Sequence, residues 1–208
     1  MTPTFDTPIV SPVLVGREQE LNSFERALRN VPLGTGQCLL VTGEAGVGKS
    51  RLLAEIRRRS ENAGFLTLQG HCFEPDLTFP YAPLIDGLRA FFAAQSASKI
   101  GDRLGPLAAE LVKLLPELAL TLPDLEPTPA LEPEAEKRRL FETLAQFLTG
   151  LTKRSSPELP QVPSTPGNSK ELKGTKRTSA NVPLLVILED IHWSDETSLD
   201  FLHFFAGG

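Results

Sequence analysis

Eight consecutive residues, Gly43-Glu44-Ala45-Gly46-Val47-Gly48-Lys49-Ser50, have the types and spacing of a phosphate cradle. Glycines let the backbone wrap tightly, so that successive N–H groups point at phosphate oxygens. A helix opening at Lys49 adds its positive N-terminal end to the same anion. Lys49 can then reach β- and γ-phosphates as a mobile point charge, and Ser50 can place its hydroxyl on Mg²⁺. A glycine turn can spell these letters by accident, but here an apolar run precedes them and an amphipathic pattern follows. Such a cradle also needs an acidic metal anchor at the end of a neighbouring apolar strand. The run 184–188, ended by Glu189-Asp190, supplies one, with one carboxylate for Mg²⁺ and the other for the attacking water. Taken without the cradle, the same pair is as well explained as a solvated strand end.

The elements that must position these residues follow from the apolar pattern. After Val15-Gly16-Arg17-Glu18, Leu21, Phe24 and Leu28 share one face of a helix. Pro32-Leu33-Gly34-Thr35-Gly36 ends it with turn chemistry. Cys38-Leu39-Leu40-Val41 is wholly apolar, the pattern of a strand covered on both faces. A helix is predicted over 49–62, with Leu52, Leu53 and Ile56 inward and Arg57, Arg58 and Arg59 on a solvated face. A second strand is predicted over 65–70, and strand, helix, strand at this spacing is a βαβ unit with a parallel sheet. The middle of the chain reads as helical over 83–94, 106–115 and 135–151, the last with a broad apolar stripe from Leu140 to Leu151. Tyr81, beside Pro80, reads as a rigid packing corner. A final helix begins near Ser194, with Asp195 and Glu196 as its capping acids.

Composition excludes several classes. The 208 residues, 40% apolar and 23% charged, describe one globular domain or slightly more, not a coiled coil or a disordered chain. No apolar run approaches the ~20 residues of a bilayer span. A net charge of -5 gives no basic footprint for nucleic acid. Cys38 and Cys72 read as reduced thiols in a buried strand and a strand end, which places the chain in the cytoplasm. Residues 1–12 lack the basic and apolar regions of a signal peptide and read as a flexible arm. Residues 153–182 are rich in proline, serine and lysine, with six basic residues (Lys153, Arg154, Lys170, Lys173, Lys176, Arg177) against Glu158 and Glu171. Such a stretch buries too little to offset its ordering entropy, so it reads as a disordered insertion, with a basic interaction tail as the functional alternative.

In order along the chain come Val15-Gly16-Arg17-Glu18, the cradle, His71-Cys72-Phe73-Glu74 leading to Pro80-Tyr81-Ala82-Pro83-Leu84, Arg138-Arg139-Leu140-Phe141, and Leu188-Glu189-Asp190-Ile191-His192-Trp193-Ser194-Asp195. This series resembles the origin-recognition-complex-like AAA ATPase module of the STAND class of P-loop ATPases. That module occurs in large LuxR-type transcriptional regulators and beside class III adenylate cyclase domains. The resemblance covers about 13–152 and 183–206, and the Glu-Asp-x-His-Trp-x-Asp string is its most specific piece. It implies an α/β fold, the three-layer α/β/α P-loop NTPase with a parallel sheet and a helical middle insertion. Residues 13–152 and 183–208 would belong to one ATPase domain whose later strands lie beyond Gly208.

The resemblance assigns ATP to Val15, Gly16 and Arg17 on the adenine side. At the phosphates it assigns Gly43, Glu44, Ala45, Gly46, Val47, Gly48, Lys49, Ser50 and Arg51. Mg²⁺ goes to Ser50 and Glu189, and catalysis to Lys49, Glu189 and Asp190. Many P-loop ATPases carry Asp first and Glu second; the order here is swapped, and Glu189 is read toward the metal, Asp190 toward the water. The string suggests a place near the nucleotide for His192 and Trp193, though packing is the preferred reading of Trp193. The implied protein is a Mg²⁺-dependent, ATP-hydrolysing switch in signal transduction or transcriptional regulation. It would be one piece of a longer regulator with a lid and an output or DNA-binding domain beyond Gly208, and self-association is compatible with it. A replication-initiator ATPase, a small-molecule kinase and a nucleotide-binding scaffold without turnover compete with this reading. The acidic charge opposes the first, and the lack of an arginine-rich lid opposes the second.

Overall fold

The computed structural model describes residues 14–31, 36–74, 79–122, 125–153 and 181–207. The arm expected over 1–12 and nearly all of the insertion expected over 153–182 lie outside the described residues. The chain divides into two compact units, Met1–Ala63 and Gly64–Gly208.

In the first unit, α1 (Glu18–Asn30) buries Leu21, Phe24 and Ala27, while α2 (Lys49–Asn62) buries Leu52, Ile56 and Ser60. Arg57, Arg58 and Arg59 of α2 do face outward, but each holds a carboxylate. Arg57 pairs with Glu61, Arg58 with Glu55, and Arg59 with both Glu55 and Glu25 of α1. The strand predicted at 38–41 is not formed. These residues make no strand pairing among the described residues, and Leu39 and Leu40 are 52% and 75% exposed. Cys38, expected in a buried strand, is exposed as well. An apolar run becomes a strand only when a ladder partner satisfies its backbone and a layer covers its faces.

The second unit holds the sheet, and its pairing corrects the expected βαβ unit. Among the described residues the sheet has two parallel strands, β1 (Leu66–His71) and β2 (Leu184–Glu189), with Leu66 opposite Leu184 and His71 opposite Glu189. The crossover between them is the helical middle of the chain. Its first helix, α3 (Ala82–Ala93), lies on β1 backbone to backbone. A Cβ added at Gly70 would stand 1.8 Å from the Pro83 carbonyl oxygen, and one at Gly87 would stand 3.1 Å from the Gln69 oxygen. Tyr81 enters α3 in a left-handed conformation, φ 63°. Its buried ring meets Phe141 edge to face, and burial, aided by Asp195 and Asp200, pushes its hydroxyl pKa up to about 12.

The helix predicted over 106–115 is broken into pieces. A 3₁₀ turn at Gly105–Leu107 leads into one turn of α-helix, α5 (Ala108–Leu111) after α4 (Ala97–Leu104), and tight i to i−3 bonds at Lys113 and Leu114 follow. Pro116 accounts for the stop, because a proline disfavours helical geometry in the residue before it. No sequence pattern announces α4, because its apolar pair, Ile100 and Leu104, spans a single turn. After α6 (Leu118–Thr121), α7 (Pro133–Thr152) supplies the largest buried face, with Phe141, Leu144, Phe147, Leu148 and Leu151. These pack with Leu84, Leu88 and Phe92 of α3 and Phe201 of α8 (Glu196–Gly207). Aromatic rings join the layers, Phe92 to Phe147 and Phe141 to Phe201, each at 5.5 Å between centroids. At the helical end, buried Glu110 is held by Arg139 at 2.8 Å and Lys113 at 3.0 Å, so its charge is compensated where water is scarce.

Candidate functional site

In the first unit the glycine loop runs into α2. Gly46 and Gly48 have φ of 79° and 94°, a left-handed conformation that costs glycine little and other residues about 1 kcal/mol or more. Gly48 is the residue on which α2 starts, its carbonyl accepting the Leu52 N–H at 3.0 Å. The Lys49 ammonium curls back over the loop and donates to the carbonyls of Gly43 and Glu44, both at 3.0 Å. Arg17 reaches the loop from the start of α1 and donates to the Val47 carbonyl at 2.7 Å, while its other arm holds Glu20 at 2.8 Å. Cationic donors therefore occupy three loop carbonyls, and the amides of the first turn of α2 have no intrahelical partners. Most of the loop and Ser50 are exposed, and Val15 is almost fully so.

In the second unit the acidic pair ends β2, and its two members differ sharply. Glu189 is only 8% exposed; its Oε1 accepts a hydrogen bond from Gln69 Nε2 at 2.7 Å and lies 3.5 Å from His71 Nε2. His71 is oriented in turn by Asp86 of α3, whose Oδ2 accepts the His71 backbone N–H at 2.9 Å and lies 3.0 Å from Nδ1. Each ring nitrogen of His71 thus faces a carboxylate oxygen, Nδ1 that of Asp86 and Nε2 that of Glu189. Asp190 is exposed, with φ 55°, and starts a 3₁₀ turn over Ile191–Trp193. Asp195 then caps α8, its two oxygens accepting the N–H of Ser198 at 2.9 Å and the Ser198 hydroxyl. Trp193 is half-buried, with the His192 ring 4.9 Å away.

Gln69 and His71, which meet Glu189, and Asp86, which meets His71, escape sequence reasoning as neighbours of the acid. His71 faces Glu189 only through the β1–β2 register, which no local pattern encodes. Among the described residues no group of three His, Cys, Asp or Glu side chains could cage a metal ion. The donors that are present, one serine hydroxyl and single carboxylates, are the kind Mg²⁺ uses when nucleotide phosphates and water complete its shell.

A glycine loop opening a helix and a parallel strand ended by acids define the nucleotide-binding α/β class. Residues 13–208 match the AAA ATPase domain, and the chain belongs to that family. It is therefore a nucleotide-binding P-loop ATPase domain of α/β type; its described part is largely helical, with a small parallel sheet. An uncharacterized protein of Rhizobium meliloti (strain 1021) is similar, 29% identical over 189 residues. The match takes in 91% of this chain and 16% of that protein, so the chain spans about a sixth of the length of its relative. No solved structure matches the chain. No helix among the described residues is long and apolar enough to cross a membrane.

Proposed function

We propose that the chain binds Mg²⁺ and ATP at loop 43–50, hydrolyses the nucleotide slowly, and works as a nucleotide-state switch in a cytoplasmic signalling or transcriptional regulator. Within the AAA family it is read as the STAND-type, origin-recognition-like module, on the strength of Glu189-Asp190-Ile191-His192-Trp193-Ser194-Asp195. Gly43 to Arg51 would contact the phosphates, and Val15, Gly16 and Arg17 would line the adenine side. Mg²⁺, which neutralises phosphate charge and polarises the bond to be cleaved, would be held by Ser50 and Glu189. Asp190, exposed beyond the strand end, would orient the attacking water. The buried Glu189 suits a fixed ligand better than a group that must move.

The observation that carries this reading is the Lys49 ammonium, 3.0 Å from two loop carbonyls at the opening of a 14-residue helix. Carbonyl oxygens are weak partners for that charge, and a phosphate would replace them with charge-assisted bonds. Replacing Lys49 with Ala should weaken binding of a fluorescent ATP analogue by about 100-fold, from loss of a charged hydrogen-bonding group worth up to ~3 kcal/mol. The thermal melt should barely move, since the side chain is partly exposed. Unchanged affinity would remove the assignment. Phosphate release by wild type and Asp190→Asn then separates turnover from scaffolding: binding without release in the wild type favours the scaffold.

A further inference from the structure

We propose that Arg17 is a positioning residue of the glycine loop, holding the Val47 carbonyl so that the Gly48 amide is aimed at the bound phosphate. The proposal rests on the reading of loop 43–50 as a phosphate site, and it gives Arg17 a different task from contact with the adenine. Arg17 stands at the start of α1, where its own carbonyl accepts the Leu21 N–H at 3.0 Å. Its backbone is thus fixed by the helix. Its guanidinium is a planar, rigid fork. One arm donates to Glu20 Oε1 at 2.8 Å, and the other donates to the Val47 carbonyl, thirty residues along the chain, at 2.7 Å.

The consequence follows from peptide geometry. The unit joining Val47 and Gly48 is planar and trans, so its C=O and N–H point in opposite directions. A Val47 carbonyl drawn to Arg17 turns the Gly48 N–H the other way. Glycine at 48, with φ 94°, lets the chain take that setting and still begin α2 with the next residue. Released from Arg17, the same peptide could rotate and present a carbonyl oxygen to the anion. Lys49 manages the carbonyls of Gly43 and Glu44 in the same manner, but it must leave them to reach a phosphate. Arg17 need not leave Val47, so it is a permanent element of the cradle.

The test uses the whole chain and three ligands: ATP, GTP and inorganic tripolyphosphate, each titrated calorimetrically with Mg²⁺ into wild type, Arg17→Gln and Glu20→Gln. Arg17→Gln should weaken all three by one common factor, roughly tenfold, as expected for loss of a charged hydrogen bond that orders the site. Glu20→Gln should weaken them equally too, by a smaller factor. In nucleotide-free protein, amide exchange at Gly48 should accelerate in Arg17→Gln while exchange in the middle of α1 stays unchanged. An unaltered tripolyphosphate affinity with weakened ATP would overturn the proposal and return Arg17 to the nucleoside. So would unchanged exchange at Gly48, or acceleration throughout α1. If the wild type binds neither ATP nor tripolyphosphate, the phosphate reading itself fails, and the exchange measurement alone still decides whether Arg17 orders the loop.

Discussion

Loop 43–50 and the strand end at Glu189 are both poised for polar chemistry, but they are held in place by different means. In the loop, the side chains of Arg17 and Lys49 grip backbone carbonyls, and the chain around them is exposed. At the strand end, one buried carboxylate is gripped by Gln69 and approached by His71, on a strand that a helix touches at backbone distance. The loop can exchange its partners at small cost, because water and ligand compete for exposed groups on similar terms. The strand end cannot, because stripping a buried carboxylate of its partners leaves a charge in a poor medium. An arrangement that binds and releases a ligand suits the first, and one that must stay fixed suits the second.

The sharpest way to break this contrast is to push α3 off β1. Gly70→Ala places a methyl group inside the Pro83 carbonyl, an overlap that only backbone movement relieves. It should cost about 3 kcal/mol or more, and urea unfolding followed by near-ultraviolet circular dichroism of the aromatic core would read it. Gly150 is the internal control: it is exposed on α7, and a methyl group added there would meet nothing within 4 Å. Gly150→Ala should be neutral or stabilising by up to ~1 kcal/mol. Equal effects at the two glycines would mean that the close contact at Gly70 does not govern the strand end.

Periodicity makes α1, α2, α3 and α7 legible, because each buries a one-sided stripe that the sequence repeats over several turns. Helix α2 runs over the predicted residues, since Gly48 and Gly64 punctuate both ends. The strands β1 and β2 are legible too, but not that they pair with each other. That pairing joins residues distant in sequence, and only the helical crossover between them brings it about. The run 38–41 shows the converse error, in which composition promises a strand and no ladder partner follows among the described residues. At the candidate site, the motifs name Lys49, Glu189 and Arg17. What each side chain touches depends on register and on helix placement, so Val47 as the partner of Arg17, and Gln69 and His71 as those of Glu189, cannot be named from the sequence.

A smaller effect sharpens the view of the strand end. Asp195 is buried and caps α8 through the backbone and side chain of Ser198. Asp195→Ala removes that cap and leaves the first-turn amide of Ser198 without it. The expected loss is about 1 kcal/mol, with the melting temperature down by several degrees. Asp195→Asn, which keeps an accepting oxygen, should recover most of it. If Asp195→Ala instead leaves stability untouched and abolishes ATP turnover, Asp195 belongs to the reaction and not to the fold.

The smallest effect lies in the first unit, where α1 and α2 are joined by exposed charges. Glu55 accepts hydrogen bonds from Arg58 and Arg59, and these hold its carboxyl down from 4.5 to about 2, while Arg59 also grips Glu25 of α1. Because the folded state favours the ionised form, the contribution is complete above the ordinary carboxylate value and fades as pH falls from about 4.5 toward 2. Surface pairs of this kind contribute only ~0.5 kcal/mol, and salt screens them. Glu55→Gln should therefore cost about that much at pH 7 in low salt, by urea unfolding, and only a small fraction of it at pH 2, near the folded-state value. A cost that stays undiminished at pH 2, or one that ignores salt, would show that Glu55 acts through packing. The outward face of α2 would then be held as rigidly as the buried strand end.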